Sequence, residues 1–396
     1  MRDRTANGQE ASVRQSLPSR PVELPAFAGQ KILIANHQFS GFTGSEIHCL
    51  QLAEFFISHG ATVSFLGLRA DEPMVSEIRA IGADLVGMWS LVIPSRRNFD
   101  LIWSHHETTF LHLHVFHGLR AKLHLHGLLS VLIKLERMPL SPDCETSGSL
   151  VFLANSVETQ KHIMATSGRT DIKVLRNIVP DAFFKTPKKT YSTSVQRVAI
   201  VSNHVPEDVM EAVEILKQDG IEVVIFGQGH TYRKIDRTSL VDFDVVITIG
   251  KTAQYCIAQG VPLFLYDHFG GPGYLTVDSL EHHERFNFSG RSEPTRLPAD
   301  QLVSRLLSHY GPAVKTAQAL RHDAPQRYSI GHQLAPVLAG MADSPSSALD
   351  RRARRRTFFF YLRRRKRALI RMIFPTFSAY LTDLLAGQPS ARPTPK

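Results

Sequence analysis

KILIANHQFSGFTGSE, Lys31 to Glu46, joins a continuously apolar run to a loop with two glycines. A strand covered by helices on both faces reads apolar at every position rather than at alternate ones. Lys31–Asn36 fits that description. Gly41 and Gly44 then lead into a helix predicted over Ser45–His59. There Ile47, Leu50, Leu52, Phe55 and Phe56 fall near helical spacing, and Gly60 supplies the stop.

The same alternation continues outward. Further strands are predicted at Thr62–Gly67, Asp100–Ser104, Ala121–His126, Leu150–Asn155 and Ile172–Arg176, with helices at Glu72–Ile81 and Ser156–Ser167. Pro180–Ser194 interrupts it with prolines, lysines and Ser/Thr in no period, and reads as an interdomain linker. The pattern then restarts: strand Arg197–Ser202, helix Pro206–Gln218, strands Ile221–Gly227 and Val245–Gly250, helix Thr252–Gln259, strand Pro262–Asp267. Alternating strands and helices imply parallel sheets with right-handed crossovers. The expected class is α/β, with two Rossmann-like doubly wound lobes facing a cleft. The expected divisions are a disordered leader at 1–30, an N-terminal lobe at 31–180, a linker at 181–196, a C-terminal lobe at 197–345 and a basic amphipathic tail at 346–396.

Composition narrows the class. A chain of 396 residues is too long for one core and about right for two domains. The three cysteines, Cys49, Cys144 and Cys256, fit no metal spacing and read as reduced thiols of a cytoplasmic protein. Ten Lys/Arg and no acid lie between Arg351 and Arg367, as many as the whole net charge of +10. The basic character therefore belongs to the tail, and no nucleic-acid-binding body is expected. The leader lacks a signal peptide's apolar core, and no apolar run is long enough for a transmembrane helix. In the tail, basic clusters flank Phe358–Leu362. Arg351–Phe374 therefore reads as a peripheral contact with an anionic membrane, the arginines at headgroups and the aromatics buried.

Ligands of open parallel sheets bind beyond the carboxyl ends of the strands, so the loops there carry the site. Gly41 and Gly44 admit close backbone approach before a helix N-terminus that favours an anion. His126 ends one strand. His105, His106 and Glu107 follow another at similar height, without the helical spacing of a metal site, and no metal is expected. In the second lobe, Gly227 and Gly229 make a glycine loop. Lys251 and Thr252 open a helix as an anion cradle. Asp267-His268-Phe269-Gly270-Gly271-Pro272-Gly273 follows the last strand, either as a ligand loop or as a tight turn.

This order of motifs resembles the two-lobed glycosyltransferases of the GT-B fold, of the kind called group 1 or family 4. The likeness covers about Lys31 to Gly290. Gly41–Glu46 resembles the family's N-terminal glycine loop, and Asn155-Ser156 its "NS" helix start. Arg176–Asp181 resembles its "PNGVD" entry to the linker, and Gly227-Gln228-Gly229 its nucleotide-side loop. Gly250–Ala253 with Gly260-Val261-Pro262 resembles its donor-site helix and strand, and His126 its histidine near the transferred sugar. The DHFGGPG loop is associated with a bacterial subset. The resemblance implies an acceptor-side first lobe and a nucleotide-sugar-side second lobe, and glycosyl transfer from a nucleotide-diphosphate donor to a glycan or lipid-linked acceptor, without cofactor or metal. Expected catalytic residues are His126 and His106. Expected donor-binding residues are Gly41, Gly44, His204, Gly227, Gly229, Lys251, Thr252, Asp267, His268, Gly270 and Gly271. The location implied is cytoplasmic, peripheral at the inner face of the membrane. Two family signatures are missing. Ser202–Glu207 carries no Arg/Lys pair, and no pair of glutamates flanks the donor helix. A non-catalytic binding protein of this fold therefore stays open. So does a nucleotide-sugar epimerase, which would want paired cleft carboxylates such as Glu107 and Asp267.

Overall fold

The apolar run at Lys31 forms β1 (Lys31–Phe39), and its Ile32, Leu33, Ile34 and Ala35 are fully buried. The computed structural model describes residues 23–87, 98–146, 149–187, 190–339, 341, 343–367 and 370. β1 is an interior strand of a parallel sheet of seven, ordered β3-β2-β1-β4-β5-β6-β7. Its other members are β2 (Thr62–Ala70), β3 (Asp84–Leu85), β4 (Asn98–His105), β5 (Arg120–Leu128), β6 (Leu150–Ala154) and β7 (Ile172–Val174). The helices between them are α1 (Gly44–Ser58), α2 (Met74–Ala80), the short α3 (Glu107–Phe110) and α4 (Val157–Ser167). α4 starts where its sequence says it should. The Ser156 hydroxyl accepts the Thr159 N–H at 3.1 Å, and Gly168 ends the helix at φ +72°. Between α3 and β5, Leu111–Phe116 winds as a π-helix, for which the sequence carries no distinct signal.

A second sheet follows, ordered β12-β11-β10-β8-β9. Before it comes α5 (Asp181–Phe184), inside the stretch expected to be a featureless linker. Phe183 is buried there, and the Tyr191 hydroxyl bonds to the Gly260 carbonyl, so much of this segment packs on the second sheet's helices. The strands are β8 (Arg197–Val201), β9 (Glu222–Phe226), β10 (Val245–Thr248), β11 (Leu263–Asp267) and β12 (Gly270–Tyr274). They alternate with α6 (Glu207–Gln218) and α7 (Lys251–Gln259), and α8 (Leu280–Arg285) comes next. α6 buries Val209, Ala212, Val213 and Leu216, a stripe at helical spacing, against that sheet. β12 pairs antiparallel with β11. Asp267–Gly273, expected as a loop, is therefore mostly a hairpin. Gly270 and Gly271 lie in its second strand, where added Cβ atoms would sit 2.3 Å from the Thr295 oxygen and 2.0 Å from the Leu265 oxygen. Glycine is there for close backbone packing.

The chain then returns to the first sheet. After α9 (Ala299–Ser308) and α10 (Tyr310–Tyr328), α11 (Ile330–Leu338) places Ile330, Leu334 and Leu338 in the core beside β1 and α1. Ser347 bridges to Ala121 of β5, and α12 (Arg351–Arg364) docks on the π-helix. The tail is thus in part a built-in element. Ala353, Thr357 and Tyr361 are buried, and Phe358 and Phe360 pack on the same core, while Phe359 and Leu362 remain exposed. Arg371–Phe374, also assigned to the membrane contact, lie outside the described residues. So do residues 1–22 of the leader, but Phe27 at its end is buried against Phe56 at 5.1 Å, so that end is seated rather than disordered. Among the described residues no helix is long and apolar enough to cross a membrane.

Candidate functional site between the sheets

A strand order that reverses leaves a crevice at the reversal, because the crossovers leave on opposite faces. The first sheet reverses between β1 and β4, the second between β8 and β10. The end of β1 and the loop after it supply His37–Glu46, the chain leaving β4 supplies His106, and the chain leaving β10 supplies Lys251. All three regions line one cavity of about 640 Å³. Asn155, Asn177, Asn287 and Glu136 complete its polar wall.

Lys251 reaches from the second lobe toward the first. Its ammonium donates to the Ile178 carbonyl at 2.8 Å and lies over the Tyr255 ring. No carboxylate pairs with it among the described residues. Burial lowers its pKa from 10.5 to about 7. Facing it across the cleft is His48, on α1. This ring is 4% exposed, lines the cavity, and leaves both nitrogens without a hydrogen-bond partner. Burial first, then the charge of Lys251, hold its pKa well below the ordinary histidine value. A buried polar ring that lines a cavity and makes no hydrogen bond to the protein is available to a ligand or a water there. Behind it, the Trp103 indole donates to His105 Nε2 at 2.9 Å, which places the proton of neutral His105 on Nδ1, toward Cys49 Sγ at 3.5 Å.

His106 sits at φ +68°, a backbone conformation uncommon for any residue but glycine. Its Nε2 lies 2.8 Å from Glu136 Oε1, and its Nδ1 accepts the His37 N–H over a long 3.4 Å. The second oxygen of Glu136 accepts the Leu129 N–H at 3.1 Å. A carboxylate therefore orients the ring through Nε2, leaving Nδ1 weakly engaged. Next in sequence, Glu107 turns away from the cavity and accepts bonds from Tyr361 at 2.9 Å and Arg365 at 2.8 Å. The C-terminal helix thus braces the strained residue from behind. Burial raises the Glu107 pKa, against the pull of Arg365.

The other expected residues divide. Gly44 lines the cavity at the start of α1. Gly41 lies on the same loop, but its N–H donates to Glu46 at 2.6 Å, so the protein's own carboxylate fills that cradle. The Tyr232 hydroxyl, from the second lobe, accepts the Phe42 N–H at 2.8 Å beside it. His126 is fully buried behind the cavity, between Phe110 and Phe152, with Nδ1 2.9 Å from the Ser104 hydroxyl. Its pKa is lowered to about 3 by burial, so it stays neutral, and it does not line the cavity. Asp267, bonded by the Ser202 hydroxyl at 3.2 Å, lies with exposed His204 and His268 along the carboxyl rim of the second sheet. Gly227, which packs on the Ser202 carbonyl, and Gly229 belong to the same rim. Neither the rim residues nor Thr252, Gly270 and Gly271 line the cavity. Glu107 and Asp267 do not form a carboxylate pair, since Glu107 is held by Tyr361 and Arg365 of the C-terminal segment and Asp267 by Ser202.

Sequence reasoning missed His48, Glu136 and Arg69, all of which line the cavity, while Glu46 lay in a stretch already singled out. His48 sits mid-helix in an apolar pattern, where it reads as a packed residue. Asn155 and Asn177 carried a signal, because both belong to stretches already singled out at element ends.

Clamps between the lobes frame this cavity. Gln51 donates to the Tyr255 hydroxyl at 2.7 Å, Lys234 to Glu77 at 2.6 Å, and Arg291 to Glu158 at 3.2 and 2.5 Å. Asn177 donates to Asn287 at 2.8 Å on the cavity wall itself.

No protein-family model and no curated protein matches the chain. A solved glycosyltransferase from Rickettsia africae ESF-5 superposes with a TM-score of 0.51 at 14% identity, over 80% of this chain and 98% of that one. TarM does so at 0.49 and 10% identity, over 80% and 100%. LpCGTa, solved in complex with UDP, gives 0.47 and 11%, over 80% and 100%. The architecture is the two-lobed fold of GT-B glycosyltransferases.

Proposed function

We propose that the chain transfers a sugar from a nucleotide-diphosphate donor to a glycan or lipid-linked acceptor, as in bacterial surface polysaccharide or glycolipid synthesis. The observation that carries this is the meeting of both switch points on one cavity, with an ammonium and an unpartnered imidazole facing each other across it. As the bond to the diphosphate breaks, negative charge grows on the leaving phosphate. Lys251, at the start of α7, meets that charge, in the place a metal would otherwise take. Binding the anion returns Lys251 to its charged form. His106 Nδ1 exchanges its long contact with His37 for the acceptor hydroxyl and takes its proton, with Glu136 orienting the ring and stabilising the imidazolium. His204 and His268, on the rim, reach the nucleotide end. The first lobe holds the acceptor. Exposed Phe359, Leu362 and Ile370, with Arg363, Arg364 and Arg367, hold the enzyme peripherally on the anionic inner face of the cytoplasmic membrane. Liposomes titrated against oligonucleotides test that last assignment.

The test of the transfer reading is a thermal-shift screen with UDP-, GDP-, dTDP- and CMP-sugars on the native chain and on Lys251→Ala. One donor raises the native midpoint and loses most of its effect in the variant. No shift with any of them, or an equal shift in both proteins, contradicts the reading. Turnover of the bound donor then separates an enzyme from a non-catalytic binder of the same fold.

A further inference from the structure

A second chemical centre lies outside the cleft. The chain leaving α8 passes through two consecutive left-handed residues, Asn287 at φ +54° and Phe288 at φ +51°, and then Gly290 at φ +77°. Side-chain-bearing residues are uncommon in this conformation, and the loop holds it with the Phe288 N–H on the His283 carbonyl at 2.9 Å and the Gly250 N–H on the Phe288 carbonyl at 2.8 Å. The reversal folds Ser292 and Glu293 back over the helix. One ring nitrogen of His282, one of His283 and a carboxylate oxygen of Glu293 then lie within 4.8 Å of one another.

We propose that His282, His283 and Glu293 bind a divalent transition-metal ion of the zinc class, with water in the fourth position. Two imidazoles and one carboxylate form a donor set for such an ion rather than for calcium or magnesium, which take oxygen ligands. A tetrahedral ion with bonds of about 2.0–2.1 Å needs its ligand atoms about 3.3 Å apart. His282 Nε2 and Glu293 Oε1 already stand at 3.8 Å, and both side chains are about half exposed, so small rotations close the gap. His283 is the fixed corner. It is 1% exposed, and its Nδ1 is 2.9 Å from the Ser292 hydroxyl, which fixes the ring. The ion would clip the loop to α8. That loop carries Asn287 on the cavity wall and Arg291 in its clamp to Glu158 of the other lobe, so the clip holds part of the cleft in place without entering it.

The test uses the full chain, stripped with chelator and titrated with Zn(II) by calorimetry and with Co(II) by its visible absorption. The expected result is one equivalent bound at micromolar affinity or tighter, and at least tenfold weaker binding in both His282→Ala and Glu293→Gln. Both substitutions fall on exposed side chains, so the metal-free variants should melt within a degree or two of the native protein. A native chain that shows no saturable binding below about 100 μM overturns the proposal. So does binding that persists undiminished in both variants, which would place the ion elsewhere among the chain's 19 histidines. Neither outcome bears on nucleotide binding at Lys251.

Discussion

Replacing Lys251 by methionine should make the protein more stable at neutral pH while emptying the cleft of anions. The stem is similar in length, so the volume is nearly conserved and the change is mainly one of charge. In the folded chain the lysine pKa falls from 10.5 to about 7, because burial disfavours the ammonium. Between those two values the unfolded chain binds more protons than the folded one, so stability rises with pH across that window. At about 1.4 kcal/mol per unit, charging Lys251 opposes folding by about 4 kcal/mol at pH 7, by about 2 kcal/mol at pH 9, and by almost nothing above pH 10.5. The lost hydrogen bond to the Ile178 carbonyl and the residual hydration of a half-buried side chain offset about half of the pH 7 figure. Lys251→Met should therefore gain roughly 2 kcal/mol at pH 7 and little at pH 9. Urea denaturation of both proteins at the two pH values reads the difference. A variant less stable at pH 7, or a gap that stays constant with pH, would refute the reasoning that the cleft holds a strained cation awaiting its counter-ion.

Three further outcomes follow from other contacts. Gly227→Ala should destabilise the second lobe by roughly 3 kcal/mol or more, since its Cβ would sit 1.8 Å from the Ser202 carbonyl oxygen; urea titration checks it. Arg365→Ala leaves Glu107 buried beside Tyr361 alone and should cost roughly 2–4 kcal/mol at pH 7. Burial already raises the Glu107 pKa above 4.5 and losing Arg365 would raise it further, so the deficit should open as pH climbs above 4.5 through the native carboxyl's raised value, and be small at pH 4; denaturation at pH 4 and pH 7 compares the two. Truncation before Asp350 should expose Cys144, whose thiol lies against the Ala353 carbonyl and the Thr357 hydroxyl; thiol-reagent labelling should be slow in the full chain and fast in the truncation, and equal rates would contradict the docking of α12.

How much of this was legible depends on which interactions each residue answers to. β1 announces itself because a strand buried on both faces reads apolar at every position, as Ile32–Ala35 do, whereas β4 and β5 show shorter apolar stretches broken by polar residues. Ser156 and Gly168 mark α4 because caps are local. β12 is not legible, since three glycines and a proline have poor strand propensity, and only pairing with β11 and contact with Thr295 make them a strand. The aromatic face of α12 has a period that suits a membrane or a protein groove equally well, and the sequence does not contain the groove that Tyr361 fills. Lys251 and His106, which line the cavity, begin elements just past strand ends, a position the sequence marks. His48 and Glu136 carry no such mark: the first is set by the lysine opposite, the second by a loop folding back on His106. His126 is the converse case, a strand-end histidine whose ring is buried between Phe110 and Phe152 rather than lining the cavity.

The most direct measurement is a crystal structure of the chain with the nucleoside diphosphate of whichever donor gives a thermal shift. The expected result is a phosphate oxygen within about 3 Å of Lys251 Nζ, with the His48 ring turned onto the same ligand or the sugar it carried. A nucleotide bound away from the cavity, with Lys251 still on the Ile178 carbonyl and His48 still unpartnered, would contradict the account.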